Sequence, residues 1–384
     1  MQDVIGWRVE DVVDLIRGPK HTVVRLEVLH EDTGIDGPTS MIEIIRDEVK
    51  LEEQAAKSQI IEVPGENDKM VKVGVIDLPV FYLDFIGRAK NLPDYRSSTR
   101  DVRKLIEDMR AEGIEGLVID LRNNGGGSLL EATTLTGLFI DEGPVVQVRN
   151  SSGRISTEED TDPGMAWEGP LAVLVNRYSA SASEIFAAAI QDYGRGLIIG
   201  ETTFGKGTVQ NLVDLDDYAP TNDAGKMGQL KITMAQFFRV DGGSTQNRGV
   251  VPDIKFPSAG DPEDYGERSL ENALPWTSIP TAHFKPEGDM GRMVAVTDFR
   301  YQDRIADDQE FGWLLSDVEE FNLNKDKKEI SLLESVRREE RDKDKAKRKA
   351  RKAAQENNGP LLEESDELVV ADDPADVALD EDAE

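Results

Sequence analysis

The sequence predicts an α/β protein whose main sheet is largely parallel and covered by helices. Three apolar runs carry that prediction: "GLVIDLR" (116–122), "GPLAVLVN" (169–176) and "GLIIGE" (196–201). They are continuous rather than alternating, as strands buried on both faces are. The first two are each followed by helical spacing, over 128–140 and 183–194. Strand, helix, strand, helix in that order implies a sheet with helical layers.

The elements follow along the chain. Residues 9–18, "VEDVVDLIRG", have helical spacing, with Gly18 as a stop. Residues 22–31 and 40–49 alternate like strands, joined across "DTGIDG". One helix and two strands bury little core by themselves, so residues 1–50 read as part of a small domain. "KVGVIDLP" (72–79) is strand-like, and 99–112 has helical spacing. After "NNGGG" and the 128–140 helix comes the strand "VVQVRN". Beyond Thr208 the pattern turns to strands, "TVQNLVDL" and "QLKITMAQFFRV" (229–240). From about Ser258 prolines and acids mark a linker, and helical spacing resumes over 308–336. Residues 337–352 hold ten Lys/Arg and four Asp/Glu, a solvated, ion-paired helix rather than a nucleic-acid patch. From Asn357 onward the composition is that of a disordered tail.

The chain has 384 residues and a formal net charge of −31. Residues 361–384 carry 11 acids and no Lys or Arg, so without them the charge is still −20. Such a surface repels nucleic acid and anionic membrane, so neither is expected as a partner. There is no cysteine, which excludes disulfides, Cys-ligated zinc and thiol nucleophiles. The three histidines, His21, His30 and His283, lie away from the Gly-rich and Ser-rich motifs. No apolar run approaches the roughly 18 residues of a membrane span, so stable insertion is not expected. No signal peptide is visible, and the opening "MQDVIGW" reads as a start inside a larger protein.

"GETTFGKGTVQ" (200–210) resembles a phosphate-binding loop, Gly-x-x-x-x-Gly-Lys. Two features oppose that reading. Gly207, not Ser or Thr, follows the lysine, and the next segment alternates like a strand instead of opening a helix. Two flanking glycines let the backbone pack closely around Lys206. Burial would lower its pKa, and a neutral lysine is a general base. A nucleophile lies upstream in "SASASE" (179–184), between a buried strand and an alanine-rich helix. Ser181 and Glu184 also fit a capping box, and spacing supports the cap and the nucleophile equally. A serine at a helix N-terminus gains from the dipole as oxygen charge develops, with the Ala182 amide aimed at a reacting carbonyl. "RNNGGG" (122–127) offers bare backbone for a second oxyanion donor, or is simply a flexible turn. Gln210, four residues after Lys206, would face the same way on a strand and orient the amine, or be a polar strand residue. Without a nearby histidine, a Ser–Lys pair is the remaining nucleophile–base choice.

"SASASEIFAAAIQDYGRGLIIGETTFGKGTVQ" together with "IDLRNNGGG" resembles the carboxyl-terminal processing proteases, nearest to the tail-specific branch of Gram-negative bacteria. "GGSTQNRGVVPDI" (242–254) matches as well. The resemblance runs from about residue 1 to about 340. It implies Ser181 as nucleophile, rather than Ser179 or Ser183, with Lys206 as general base and Gln210 orienting it. It implies an oxyanion hole from the amides of Gly127 and Ala182, with Gly126 alongside. It implies a Clp protease/crotonase-like βαβ core over 51–257, preceded by the second half of a PDZ domain (1–50). A helical C-terminal region (258–356) would follow; the acidic tail (357–384) is read from composition and has no counterpart in the resemblance. No metal or cofactor is implied. The expected setting is the periplasm, with protein substrates bearing accessible nonpolar C-termini and an adaptor lipoprotein as a further partner. Two other classes share features of this sequence: a crotonase-like acyl-thioester enzyme, and a non-catalytic PDZ-type peptide-binding scaffold.

Overall fold

The computed structural model describes residues 4, 9–29, 39–46, 54–65, 69–218, 227–259, 265–325, 327 and 329–358. The chain divides into two compact units, Met1–Glu319 and Glu320–Glu384. The first unit opens with helix α1 (Val9–Ile16) and strands β1 (Val23–Leu29) and β2 (Thr39–Ile45). These two strands form an antiparallel pair of their own. Then come β3 (Lys57–Pro64), β4 (Met70–Asp77), α2 (Phe85–Ala89), α3 (Ser98–Ala111), β5 (Gly116–Asp120) and α4 (Leu129–Thr136). They are followed by β6 (Gly143–Asn150), β7 (Ile155–Asp160), β8 (Leu171–Val175), α5 (Ala182–Asp192) and β9 (Leu197–Gly200). The last elements are β10 (Thr208–Asp214), β11 (Gln229–Phe238), β12 (Ile254–Lys255), α6 (Gly291–Ala306), α7 (Gln309–Asn324) and α8 (Glu334–Asn358).

The central sheet has six strands in the order β12-β9-β8-β5-β4-β3. Every pairing from β12 to β4 is parallel, and β3 closes one edge antiparallel to β4. The three apolar runs read from the sequence are β5, β8 and β9, adjacent at its centre. Ile119, Val173 and Ile198 are fully buried there. Phe186 of α5 lies among Phe81 and Phe139, with ring centroids 6.3 and 5.7 Å away. A second, antiparallel sheet has the order β10-β11-β6-β7.

Several boundaries differ from the sequence reading. The helix expected over 128–140 stops at Thr136. Gly137 follows, where a Cβ would run into the Asp160 carboxylate. The helical spacing over 308–336 is α7 and the start of a separate α8, and α6, which begins at Gly291, precedes it inside the stretch read as a linker. In the second unit α8 carries the mixed charges. Arg338 pairs with Glu334 (2.7 Å), Arg337 with Glu340 (2.9 Å) and Lys347 with Glu320 (2.6 Å). The tail expected from Asn357 lies outside the described residues except for the end of α8.

Candidate active site

The turns at the carboxyl ends of β5, β8 and β9 carry the glycine turn, Ser181 and Lys206. β8 ends at Val175, the chain turns, and α5 starts at Ala182. Ser181 sits at that turn with φ 57° and ψ −110°. A positive φ is uncommon for a residue with a Cβ and costs on the order of 1–3 kcal/mol. The neighbouring serines explain how the strain is held. Ser179 is fully buried; its Oγ donates to the Leu121 carbonyl (2.7 Å) and accepts from the Asn176 amide (3.0 Å). Ser183 is also fully buried, and its Oγ donates to the Asn124 carbonyl (2.9 Å). Both hydroxyls are therefore committed to the frame. Ser181, between them, is the half-buried one.

The glycine turn after β5 packs directly on this elbow. A Cβ on Gly126 would lie 2.8 Å from Ser181 Cβ and 3.1 Å from the Ala182 nitrogen. Gly126 and Gly127 have φ of 109° and 140°, which only glycine adopts without strain. Asn124, fully buried, is the keystone. Its Nδ2 donates to the Leu78 carbonyl (2.7 Å), and its Oδ1 accepts from the Gly126 amide (2.8 Å). Its own carbonyl accepts from the Ala180 amide (3.0 Å). The Gly126 amide is thus spent on Asn124 and is not free to stabilise a developing oxyanion. Among the described residues no hydrogen bond uses the amides of Gly127 or Ala182.

Lys206 arrives from the loop between β9 and β10. Its two glycines do provide close approach. A Cβ on Gly207 would lie 2.8 Å from Ser244 Oγ and from the Gln246 nitrogen, and one on Gly205 3.2 Å from the Asn247 carbonyl carbon. The segment "GGSTQNRG" is therefore the wall of the lysine loop, and Gln246 Oε1 accepts the Gly207 amide (2.8 Å). Burial lowers the Lys206 pKa and nearby Lys231 lowers it further, while Glu267 and Glu184 pull the other way. No ion pair or hydrogen bond holds its ammonium among the described residues.

Glu184 joins the two halves. It is completely buried. Its Oε1 accepts from Thr203 Oγ1 (2.6 Å) and the Gly205 amide (2.7 Å). Its Oε2 accepts from the Ser181 amide (2.9 Å) and the Lys206 amide (2.9 Å). One oxygen atom thus fixes the backbones of both residues, although 25 positions separate them in sequence. Burial pushes the Glu184 carboxyl up to about 7, against the four donors that favour its charged form. The sequence reading found Glu184 only as a helix cap. The Ser-x-x-Glu spacing marked it, but nothing local showed that it also reaches Thr203, Gly205 and Lys206.

The structure does not bring Gln210 to Lys206. Gln210 is exposed, and its Nε2 donates to Thr233 Oγ1 (3.4 Å). The same-side argument required both residues on one regular strand. β10 starts only at Thr208, and a bulge shifts the register between Val209 and Gln210. The extra residue is Met234 on β11, so β10 itself keeps its alternation, and the Gln210 side chain is bonded across the pair to Thr233 instead.

Comparison with known proteins follows this geometry. Residues 72–256 match Peptidase family S41, and residues 260–383 match the C-terminal domain of tail specific protease. The chain is 43% identical over 351 residues to a tail-specific protease of Haemophilus influenzae, covering 91% of this chain and 47% of that protein. It is 33% identical over 254 residues to a carboxy-terminal-processing protease of Bartonella bacilliformis, covering 66% of this chain and 51% of that one. Among solved structures, the photosystem II D1 C-terminal processing protease aligns with a TM-score of 0.44 and 28% identity, over 67% of this chain and 60% of its own. The chain spans about half the length of the relatives it matches. With the two matches running consecutively along it and the 43% identity extending over most of its length, the chain belongs to peptidase family S41.

Proposed function

We propose that the chain carries the catalytic centre of a serine endopeptidase that works through Ser181 and Lys206. The observation that carries this reading is the single Glu184 oxygen accepting both the Ser181 and the Lys206 amides beside the glycine turn. Neutral Lys206 takes the hydroxyl proton as Ser181 Oγ bonds to the peptide carbonyl carbon. The negative charge moves to the carbonyl oxygen, where the amides of Gly127 and Ala182 stabilise it. Lys206 then gives its proton to the leaving amine as the C–N bond breaks. Water, deprotonated by the same lysine, releases the acyl group and regenerates the serine. Gln210 acts in this scheme only if β10 shifts to bring its amide to the amine. Substrates are proteins with accessible nonpolar C-termini, met in the periplasm, with an adaptor lipoprotein as accessory partner. Among the described residues no helix is long and apolar enough to cross a membrane.

The test is cleavage of an unfolded protein ending in nonpolar residues, followed on gels. Ser181→Ala and Lys206→Ala each abolish cleavage while leaving the fold intact. Full activity of the Lys206→Ala protein sinks the mechanism. Coenzyme A thioester binding by calorimetry, with turnover that survives Ser181→Ala, replaces it with acyl-thioester chemistry.

A further inference from the structure

β10 leaves the site two residues after Lys206 and is an edge strand. Among the described residues β11 is its only neighbour. The direction of its backbone groups can be worked out. Leu215 donates its amide to the Gly228 carbonyl (3.0 Å), so Leu215 turns toward β11. Hydrogen-bonded and non-bonded pairs alternate along an antiparallel ladder. With Val213 opposite Leu230 and Asn211 opposite Ile232, those two residues also turn inward. Gln210, Leu212 and Asp214 therefore turn their N–H and C=O groups away from the sheet. All three are exposed, Leu212 at 64%.

Exposed edges are normally guarded by proline, by lysine or by covering elements. "TVQNLVD" has neither proline nor lysine. The extra residue of the bulge opposite Val209/Gln210 is Met234 on β11, so the outward row of β10 itself is regular. At about 3.3 Å per residue, this row offers donors and acceptors roughly 7 Å apart, the repeat of an extended polypeptide. An extended chain also presents its scissile bond free of its own secondary structure.

We propose that the free edge of β10 receives the substrate polypeptide as an added strand, paired through Gln210, Leu212 and Asp214. This rests on the endopeptidase reading above and names how that site holds its substrate. Recognition of this kind is carried by main-chain hydrogen bonds and tolerates varied side chains.

Two measurements test it. Leu212→Pro removes one outward N–H and fills the edge, but spares the β11 ladder, because proline is tolerated where the amide faces solvent. The expected result is a rise of roughly tenfold in KM. An unchanged KM in a folded Leu212→Pro protein overturns the proposal. The second measurement needs no catalysis. Amide hydrogen exchange is followed in the Ser181→Ala chain with and without an excess of an unfolded peptide ending in nonpolar residues, its binding read by fluorescence anisotropy. Exchange at Gln210, Leu212 and Asp214 slows by tenfold or more with peptide, while Asn211 and Val213 change little. Slowed exchange without cleavage by the wild-type chain keeps the docking edge and sinks the protease reading. Unchanged exchange with peptide bound, or no binding, overturns the edge. So does protection that grows with protein concentration alone, which assigns β10 to a second copy.

Discussion

Replacing Glu184 by glutamine should make the folded chain relatively more stable as pH rises, because the wild-type carboxyl must ionise inside the core. Burial pushes that carboxyl from an ordinary value near 4.5 up to about 7. Between those values the unfolded chain has released the proton and the folded chain still holds it. Folding then takes up a proton, so stability falls with rising pH over this window and levels off above about pH 7. Glutamine cannot ionise and shows no such slope. The sequence pI of about 4.5 makes low pH unsuitable for a soluble measurement, so the series starts at pH 5.5. From there to pH 7, at about 1.4 kcal/mol per pH unit, wild type loses about 2 kcal/mol relative to Glu184→Gln. The variant has its own cost, since glutamine has one acceptor oxygen for four donors. Only the Thr203 hydroxyl can turn to accept from the new amide, leaving the Gly205 N–H opposed at about 1–3 kcal/mol. That cost does not change with pH, so the slope isolates the ionisation. The assay is urea unfolding of both proteins from pH 5.5 to 8.5, followed by the fluorescence of buried Trp167. Parallel stability curves would refute the reasoning, because they would mean that the four hydrogen bonds outweigh burial and keep the carboxylate charged throughout.

Three further outcomes follow from the same geometry. If Lys206 is the base, kcat/KM rises with pH through its lowered pKa; Lys231→Ala removes one cause of the lowering and moves that limb to higher pH, and a pH–rate profile checks the direction. Ser179→Ala orphans the Asn176 amide and leaves the Leu121 carbonyl with the Asn124 amide as its donor, costing about 1–3 kcal/mol in urea unfolding while turnover stays within about tenfold of wild type. Gly126→Ala puts a Cβ 2.8 Å from Ser181 Cβ at a φ of 109°, so cleavage should fall on the order of 10²-fold, well beyond the accompanying loss of stability in the same assay.

What could be read from the sequence was what is local. β5, β8 and β9 were legible because strands buried on both faces need continuous apolar runs. β7, "ISTEED", was not, because it is a polar edge strand specified by pairing with β6. β3, on the edge of the main sheet, carries only a weak pattern, and the two residues of β12 carry none. Ser181, Lys206 and the glycine turn stood out because their neighbours are constrained within a few residues. Asn124 and Gln246 did not, since each works through partners remote in sequence, such as Leu78 at one and Gly207 at the other. The misplacing of Gln210 has the same root, since its side chain is bonded to Thr233, a partner on the neighbouring strand and remote in sequence.

The Glu184 carboxylate also makes assembly of this centre nearly all-or-none. Any displacement that carries the Lys206 loop out of hydrogen-bond reach strips the carboxylate of Thr203, Gly205 and Lys206 together, leaving only the Ser181 amide. An ionised carboxylate in the core with one donor is far costlier than one with four, so the loop has no comfortable halfway position. A disengaged loop must therefore be accompanied by water entering the core or by a proton settling on Glu184. Above about pH 7, where the seated carboxyl has ionised, releasing the loop without water entry takes up a proton, and reseating the loop gives it back.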